Sequence, residues 1–101
     1  MKHLTLVVHA NILQDVADIL RSLEAIQGFT IAHVEGHGEN VENNPFLSAR
    51  DKVVGHTPRI RVDILLDEQD VKPVLHEIGS SFHGTGQGIY WVTAVEEKGR
   101  L

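Results

Sequence analysis

The chain has 101 residues, 42% of them apolar, with 14 acidic and 9 basic groups, a formal charge of -5 and no cysteine. That length supports one core and not two, so a single domain over residues 1–101 is expected. The lack of a basic stripe argues against nucleic acid, the lack of thiols excludes disulfides and thiolate metal sites, and the longest apolar run near the N-terminus, Leu6-Val7-Val8, is too short for a signal peptide or a membrane span, so a soluble, cytoplasmic protein with no direct membrane insertion is expected.

In chain order, Leu4, Leu6 and Val8 alternate with His3, Thr5, Val7 and His9, which predicts a strand with one strongly apolar face. Asn11 reads as the cap of a following helix, with Gln14 three residues on. Ile12, Val16, Ile19, Leu20 and Leu23 then recur at helical spacing, and Gly28 is placed to end that helix in a left-handed turn. A second strand is expected from Thr30 to His37, with a slip in apolar phase near Val34 that reads as a bulge. The third, Arg59 to Leu66, is regular: Ile60, Val62, Ile64 and Leu66 share one face, and Arg59, Arg61 and Asp63 the other. Val71, Val74, Leu75, Ile78 and Phe82 form a second helical stripe starting near Asp67 to Asp70, in which Pro73 is tolerable only if it lies in the first turn. A glycine cluster, Gly84-Thr85-Gly86-Gln87-Gly88, leads into a last strand that is apolar on both faces, Ile89 to Val95.

The order strand, helix, strand, strand, helix, strand predicts an α+β, ferredoxin-like βαββαβ fold with both helices on one face of the sheet. The other face would carry Thr5, Val7, Arg59, Arg61 and Leu65, too mixed for a core and too apolar for plain solvation. A symmetric oligomer that buries it resolves the difficulty.

Strands two and three are separated by a polar run of about 20 residues containing Asn43-Asn44-Pro45. Hairpins normally close in roughly 2 to 5 residues, so this extended loop, about residues 38–57, is the expected working part of the protein. Gly36 and Gly38 hinge it on one side, and Gly55 with Pro58 on the other. Within it, Phe46-Leu47 beside Arg50 and Lys52 has the make-up of a docking patch, the alternative being local packing of the loop on the body.

Gly84, Thr85, Gly86, Gln87 and Gly88 can present backbone N–H groups to an anion, or serve as a plain connector. Arg59 and Arg61 alternate onto one face beside the loop base, where guanidinium groups suit a phosphate or carboxylate; the alternative is an intersubunit salt bridge with Asp63 or Glu35. His33 and His37 share a strand face and are the metal candidates. Four residues of strand span about 13 Å, so both could not ligate one ion without a third element or another subunit. No strained-turn motif surrounds Ser48, Ser80 or Ser81, and no enzyme activity is expected.

Taken together, Gly28 to Gly38, Pro58-Arg59-Ile60-Arg61-Val62, Val71 to Ile78 and Gly84 to Tyr90 resemble, in order and spacing, the second strand with its glycine-flanked exit, the return strand, the second helix and the glycine-rich B-loop of PII-like signalling proteins. The resemblance covers nearly the whole chain. It implies a homotrimer with ligand clefts between subunits, and long T-loops that dock onto a membrane transporter or an enzyme. It also implies effector contacts at Gly36, His37, Gly38, Arg59, Arg61 and Gly84 to Gly88.

The departures are informative. The Arg-Gln pair that ends strand two in nitrogen-regulatory members corresponds here to Glu39 and Asn40, the B-loop lysine position falls on Gln87 or Gly88, and the basic C-terminal tail is reduced to Lys98 and Arg100. Each change removes positive charge from where a triphosphate would sit, which argues against ATP with 2-oxoglutarate. Tyr90, the only tyrosine, lies in the last strand, so the loop-tyrosine modification of some relatives is not available. Smaller PII-like proteins, some associated with heavy-metal efflux or transport, match in size. The expected function is therefore non-catalytic regulation by a small anionic effector, such as an adenine nucleotide, bound between subunits. The alternative is a histidine-based metal-binding or metal-tolerance protein that takes a divalent ion.

Overall fold

The computed structural model describes residues 1–37, 57–82 and 88–101. Strand β1, Lys2–His9, runs through a 3-10 turn, Ala10–Ile12, into helix α1, Leu13–Ser22. Strands β2, Thr30–Gly36, and β3, Thr57–Leu66, precede helix α2, Glu68–Phe82, and strand β4, Gly88–Ala94. The strands form one antiparallel sheet in the order β2-β3-β1-β4. This is the ferredoxin-like βαββαβ arrangement that the apolar periodicities predict.

The core follows from alternation on the two central strands. Leu4, Leu6 and Val8 of β1 point to the same side as Ile60, Val62, Ile64 and Leu66 of β3, and all seven are buried. Onto them pack Val16, Ala17 and Leu20 of α1 and Val71, Val74 and Ile78 of α2. Burying each such aliphatic side chain contributes about 1.5–3 kcal/mol, so this layer holds the sheet and helices together. Among the described residues, no helix is long and apolar enough to cross a membrane.

Several local expectations are corrected. The cap at the end of β1 is His9, not Asn11: the His9 ring Nδ1 accepts the Asn11 N–H at 3.0 Å. The α-helix proper therefore starts at Leu13, after the 3-10 turn. Nor does Gly28 end α1. The helix stops at Ser22, where Leu23 turns to extended backbone while its N–H still reaches the Leu20 carbonyl and the Ser22 hydroxyl donates to the Ile19 carbonyl. Gly28 lies in the connection that follows.

Strand β2 has no bulge, because its pairing with β3 runs without a break from Thr30 opposite Asp63 to Gly36 opposite Thr57. The slip in apolar phase instead reflects an outer strand with apolar residues on both sides, Ile31 toward the helices and Ala32 and Val34 on the open face. Strand β3 begins at Thr57, two residues before Arg59, and takes Pro58 into its first turn of pairing. The missing proline N–H is tolerated there because β1 ends opposite Arg59, so β3 has a partner on one side only. Pro73 sits inside α2, in its second turn and not its first. The hydrogen bond it cannot make is owed to the carbonyl of Gln69, an exposed residue whose backbone water can serve.

Removing the α1 anchor should test this account of the core. Leu20→Ala deletes a fully buried side chain at the junction of α1 with the sheet and is expected to lower stability by about 2–5 kcal/mol, read as a shift in urea midpoint at unchanged m-value.

Candidate functional site

The helix-free face of the sheet carries the odd-numbered residues of β1, β3 and β4 and the even-numbered residues of β2. Pairing places these in rows across the sheet: Thr93, His3 and Leu65; then Trp91, Thr5, Asp63 and Thr30; then Ile89, Val7, Arg61 and Ala32; then His9, Arg59 and Val34. Polar groups gather at the centre. The Asp63 carboxylate receives His3 Nε2 at 2.7 Å, the Thr5 hydroxyl at 3.1 Å, and Arg61 Nε and Nη2 at 3.2–3.3 Å.

A carboxylate only accepts, so the His3 proton toward Asp63 sits on Nε2. In the uncharged ring, Nδ1 is then left to accept from the Thr93 hydroxyl at 3.5 Å. The Arg61 guanidinium also lies over Trp91, 5.7 Å from the ring centroid. These neighbours cover Thr5 so well that it is fully buried on a face with no second layer. Burial is the largest single influence on Asp63 and pushes its carboxyl up, but donation from Arg61, His3 and Thr5, with the charge of Arg61, outweighs it and holds the group below its ordinary value of 3.8.

The loop base lies at one end of the same face. Arg59 pairs with Val34 on one side and His9 on the other, and its side chain leans over Gly36, where a Cβ would run into the guanidinium Nε and Cδ. Any larger residue at position 36 would have to displace the Arg59 side chain from where it lies. Among the described residues Arg59 has no carboxylate partner, in contrast to Arg61. Gly88 lies at this end too, opposite Val8, where a Cβ would come within 2.7 Å of the Val7 carbonyl. Strand β1 separates it from Arg59, so within one chain they stand about 10 Å apart.

At the other end of the sheet, Gln27, Gly28, Phe29, Thr30, Asp63 and Leu65 line an open groove with Lys98 and Arg100. The two remaining tail cations thus lie beside the start of β2, roughly 20 Å along β3 from Arg59.

Of the residues singled out from sequence, Gly36 and Arg59 are brought into contact, as the hairpin pairing requires, and Gly88 lies at their end of the sheet. Arg61 is held by Asp63 and Trp91, so the expected pairing with Asp63 forms within the chain and not between subunits, because the two residues lie two apart on the same face of β3. His37 is paired with Glu35 at 2.7 Å, while His33 stands opposite Ile60 on the helix side of β2. Among the described residues no three histidine, aspartate or glutamate side chains gather as a metal site. Gly38, Phe46, Leu47, Arg50, Lys52, Gly84, Thr85, Gly86 and Gln87 lie outside the described residues.

A family model described as "Protein of unknown function (DUF3240)" matches residues 1–101. The chain belongs to the DUF3240 family. A solved DUF3240 family protein from Shewanella baltica OS155 has the same fold, with a TM-score of 0.79 at 18% identity over 99% of this chain and 94% of that one. The sequence is also similar to nitrogen regulatory protein P-II 1 of Methanothermobacter thermautotrophicus, 26% identical over 103 residues that span 100% of this chain and 89% of the relative. The resemblance to PII-like proteins read from the strand exits and glycine clusters is therefore borne out.

In this DUF3240 chain the cluster of His3, Thr5, Asp63 and Trp91 was missed as a unit by sequence reasoning. The signal was present in part, since Arg61 and Asp63 alternate onto one side of β3 and His3 and Thr5 onto one side of β1. What joins them is the β1–β3 register, which pairs Thr5 with Asp63 and His3 with Leu65.

The depressed Asp63 titration makes a prediction about acid. A carboxyl whose folded value lies below its unfolded one adds stability that is fully present above the ordinary value of 3.8 and is lost as pH falls through the folded value. The stability difference between the native chain and Asp63→Asn should thus be constant above about pH 5 and shrink below about pH 4, measured by urea unfolding at each pH.

Proposed function

We propose that this DUF3240 protein is a non-catalytic regulatory module of the PII-like type, in which a small anionic effector binds between subunits at the base of the loop and alters what the loop presents to a partner. The observation that carries this reading is Arg59, a guanidinium without a carboxylate partner among the described residues, lying against glycine backbone where the long connection begins and ends. Such a group offers two parallel N–H donors to a phosphate or carboxylate. Arg61 is already engaged by Asp63, which supports Arg59 as the effector contact.

The positions of the other donors favour a site shared by subunits. Arg59, Gly88 and the tail cations Lys98 and Arg100 are too far apart in one chain to hold one small ligand. A neighbouring copy would supply what one chain lacks, in keeping with the homotrimer that the PII resemblance implies. An adenine nucleotide with fewer phosphates than ATP suits the reduced basic charge. The partner would be a transporter or enzyme engaged through Phe46 and Leu47 with Arg50 and Lys52. The metal reading is weaker, because His37 is already bonded to Glu35 and, among the described residues, no three histidine, aspartate or glutamate side chains gather.

A charge-assisted hydrogen bond contributes about 1.5–3 kcal/mol, so Arg59→Ala should weaken AMP or ADP binding by about one to two orders of magnitude in calorimetry while melting temperature and oligomeric state stay nearly unchanged. Normal nucleotide binding by that variant would move the site away from the loop base. A variant that falls apart would make Arg59 an assembly residue.

A further inference from the structure

We propose that Thr57 is a second contact for the effector at the loop base, its hydroxyl completing with Arg59 a site that takes a phosphate group in preference to a carboxylate. The proposal rests on the reading of Arg59 given above and names the chemical class that the site accepts.

Among the described residues the buried polar side chains are those of Thr5, His9 and Thr57. Two are accounted for inside the chain. The Thr5 hydroxyl donates to Asp63, and the His9 ring accepts the Asn11 N–H. Thr57 is different: it is fully buried, and among the described residues its Oγ1 meets no hydrogen-bond partner. Folded chains rarely leave a buried hydroxyl unpaired, because the group gives up water and gains nothing in return, so one that persists calls for a partner from outside the chain.

The place of this hydroxyl ties it to Arg59. Thr57 opens β3 opposite Gly36, two residues before Arg59, and strand alternation puts both side chains on the helix-free face with roughly 7 Å between their Cα atoms. The Arg59 side chain lies over Gly36, where its Nε and Cδ occupy the space a Cβ would take, and so it crosses the row in which Thr57 stands. A long, flexible side chain can lift from that row to admit a ligand while the paired strands beneath it stay in place. An anion gripped by the guanidinium is then held within reach of the Thr57 hydroxyl.

Counting oxygens selects the ligand group. A guanidinium fork engages two oxygens of one anion. A carboxylate has only those two, whereas a phosphate monoester has three terminal oxygens and keeps one to accept from a hydroxyl at the side. Thr57 adds this donor without adding charge, which suits a mono- or diphosphate ester in a chain whose basic groups are few.

The test is calorimetry with AMP and ADP on the full chain in four forms, native, Arg59→Ala, Thr57→Val and Thr57→Ser, with melting temperature as the control for folding. Thr57→Val keeps the shape and removes the hydroxyl. It should weaken AMP and ADP binding by about tenfold or more, while the ligand-free chain melts at the native temperature or above it because an unpaired buried hydroxyl is gone. Thr57→Ser keeps the hydroxyl and should bind as the native chain does, a rescue that a purely structural threonine would not give. If Thr57→Val fails to fold, Thr57→Ala against Thr57→Ser carries the same comparison. Native binding by Thr57→Val beside weakened binding by Arg59→Ala would overturn the role given to Thr57 and leave the loop-base site standing. Succinate bound as tightly as AMP or ADP would overturn the preference for phosphate. Native binding by Arg59→Ala, or no nucleotide binding by the native chain, would overturn the reading beneath this proposal and the proposal with it.

Discussion

The contact on which the rest of the structure depends is the one between the even-numbered residues of β1 and β3 and the two helices. Leu4, Leu6 and Val8 with Ile60, Val62, Ile64 and Leu66 form the floor, and Val16, Leu20, Val71, Val74 and Ile78 close it. Because strand side chains alternate, fixing these seven floor residues on the helix side fixes His3, Thr5, Val7, Arg59, Arg61, Asp63 and Leu65 on the other. A one-residue slip in either strand would turn its aliphatic residues out to solvent, which is why the register is strongly specified. The polar cluster and the loop-base arginine are thus consequences of where the aliphatic residues must go.

The two helices serve only one side of a sheet that has two. Strand β4 makes the shortfall visible: it pairs with β1 along its length, yet all seven of its residues are exposed, including Tyr90 and Val92 on the side where the helices lie. Its composition is apolar on both faces, and in a single chain it is an edge strand covered on neither. Exposed aromatic and aliphatic side chains of this extent ordinarily mark an interaction surface. The open face adds to this a compensated Arg61–Asp63 pair at its centre, and the edge of β4 borders it.

The two arginines of β3 illustrate how position along one strand divides roles. They are two residues apart, share a face and are chemically the same, and from sequence both were candidates for the same anion. Arg61 falls in the middle of the sheet, where β1 on one side and β4 beyond it supply Asp63's other donors and the Trp91 ring. Arg59 falls where β1 ends, beside Gly36 and the start of the connection, and has no carboxylate near it among the described residues. The first is consumed by internal packing, while the second keeps its hydrogen-bonding capacity for something else.

Much of the fold was legible in the residue pattern because it depends on local periodicity. The alternation in β1 and β3, the helical stripes and the element order are enough to yield a ferredoxin-like sheet with helices on one side and a long interruption between β2 and β3. The likeness to PII-like proteins rested on the same order and spacing, and the match to nitrogen regulatory protein P-II 1 bears it out. The proximity of Arg59 to Gly36 was also legible, since adjacent antiparallel strands must bring their facing ends together. What the pattern could not convey were the details decided by competition between partners at element ends. His9 displaced Asn11 as the cap because its ring reaches the Asn11 N–H, and β2 stayed regular because continuous pairing with β3 outweighed the cost of leaving Val34 on the open side. The His3–Thr5–Asp63–Arg61–Trp91 cluster draws on three strands and on sequence separations of up to 60 residues between hydrogen-bonded groups, so only the tertiary register could assemble it. Each residue's face was written in its own strand, but which residues stand opposite one another is set by the packing of strands far apart in the chain.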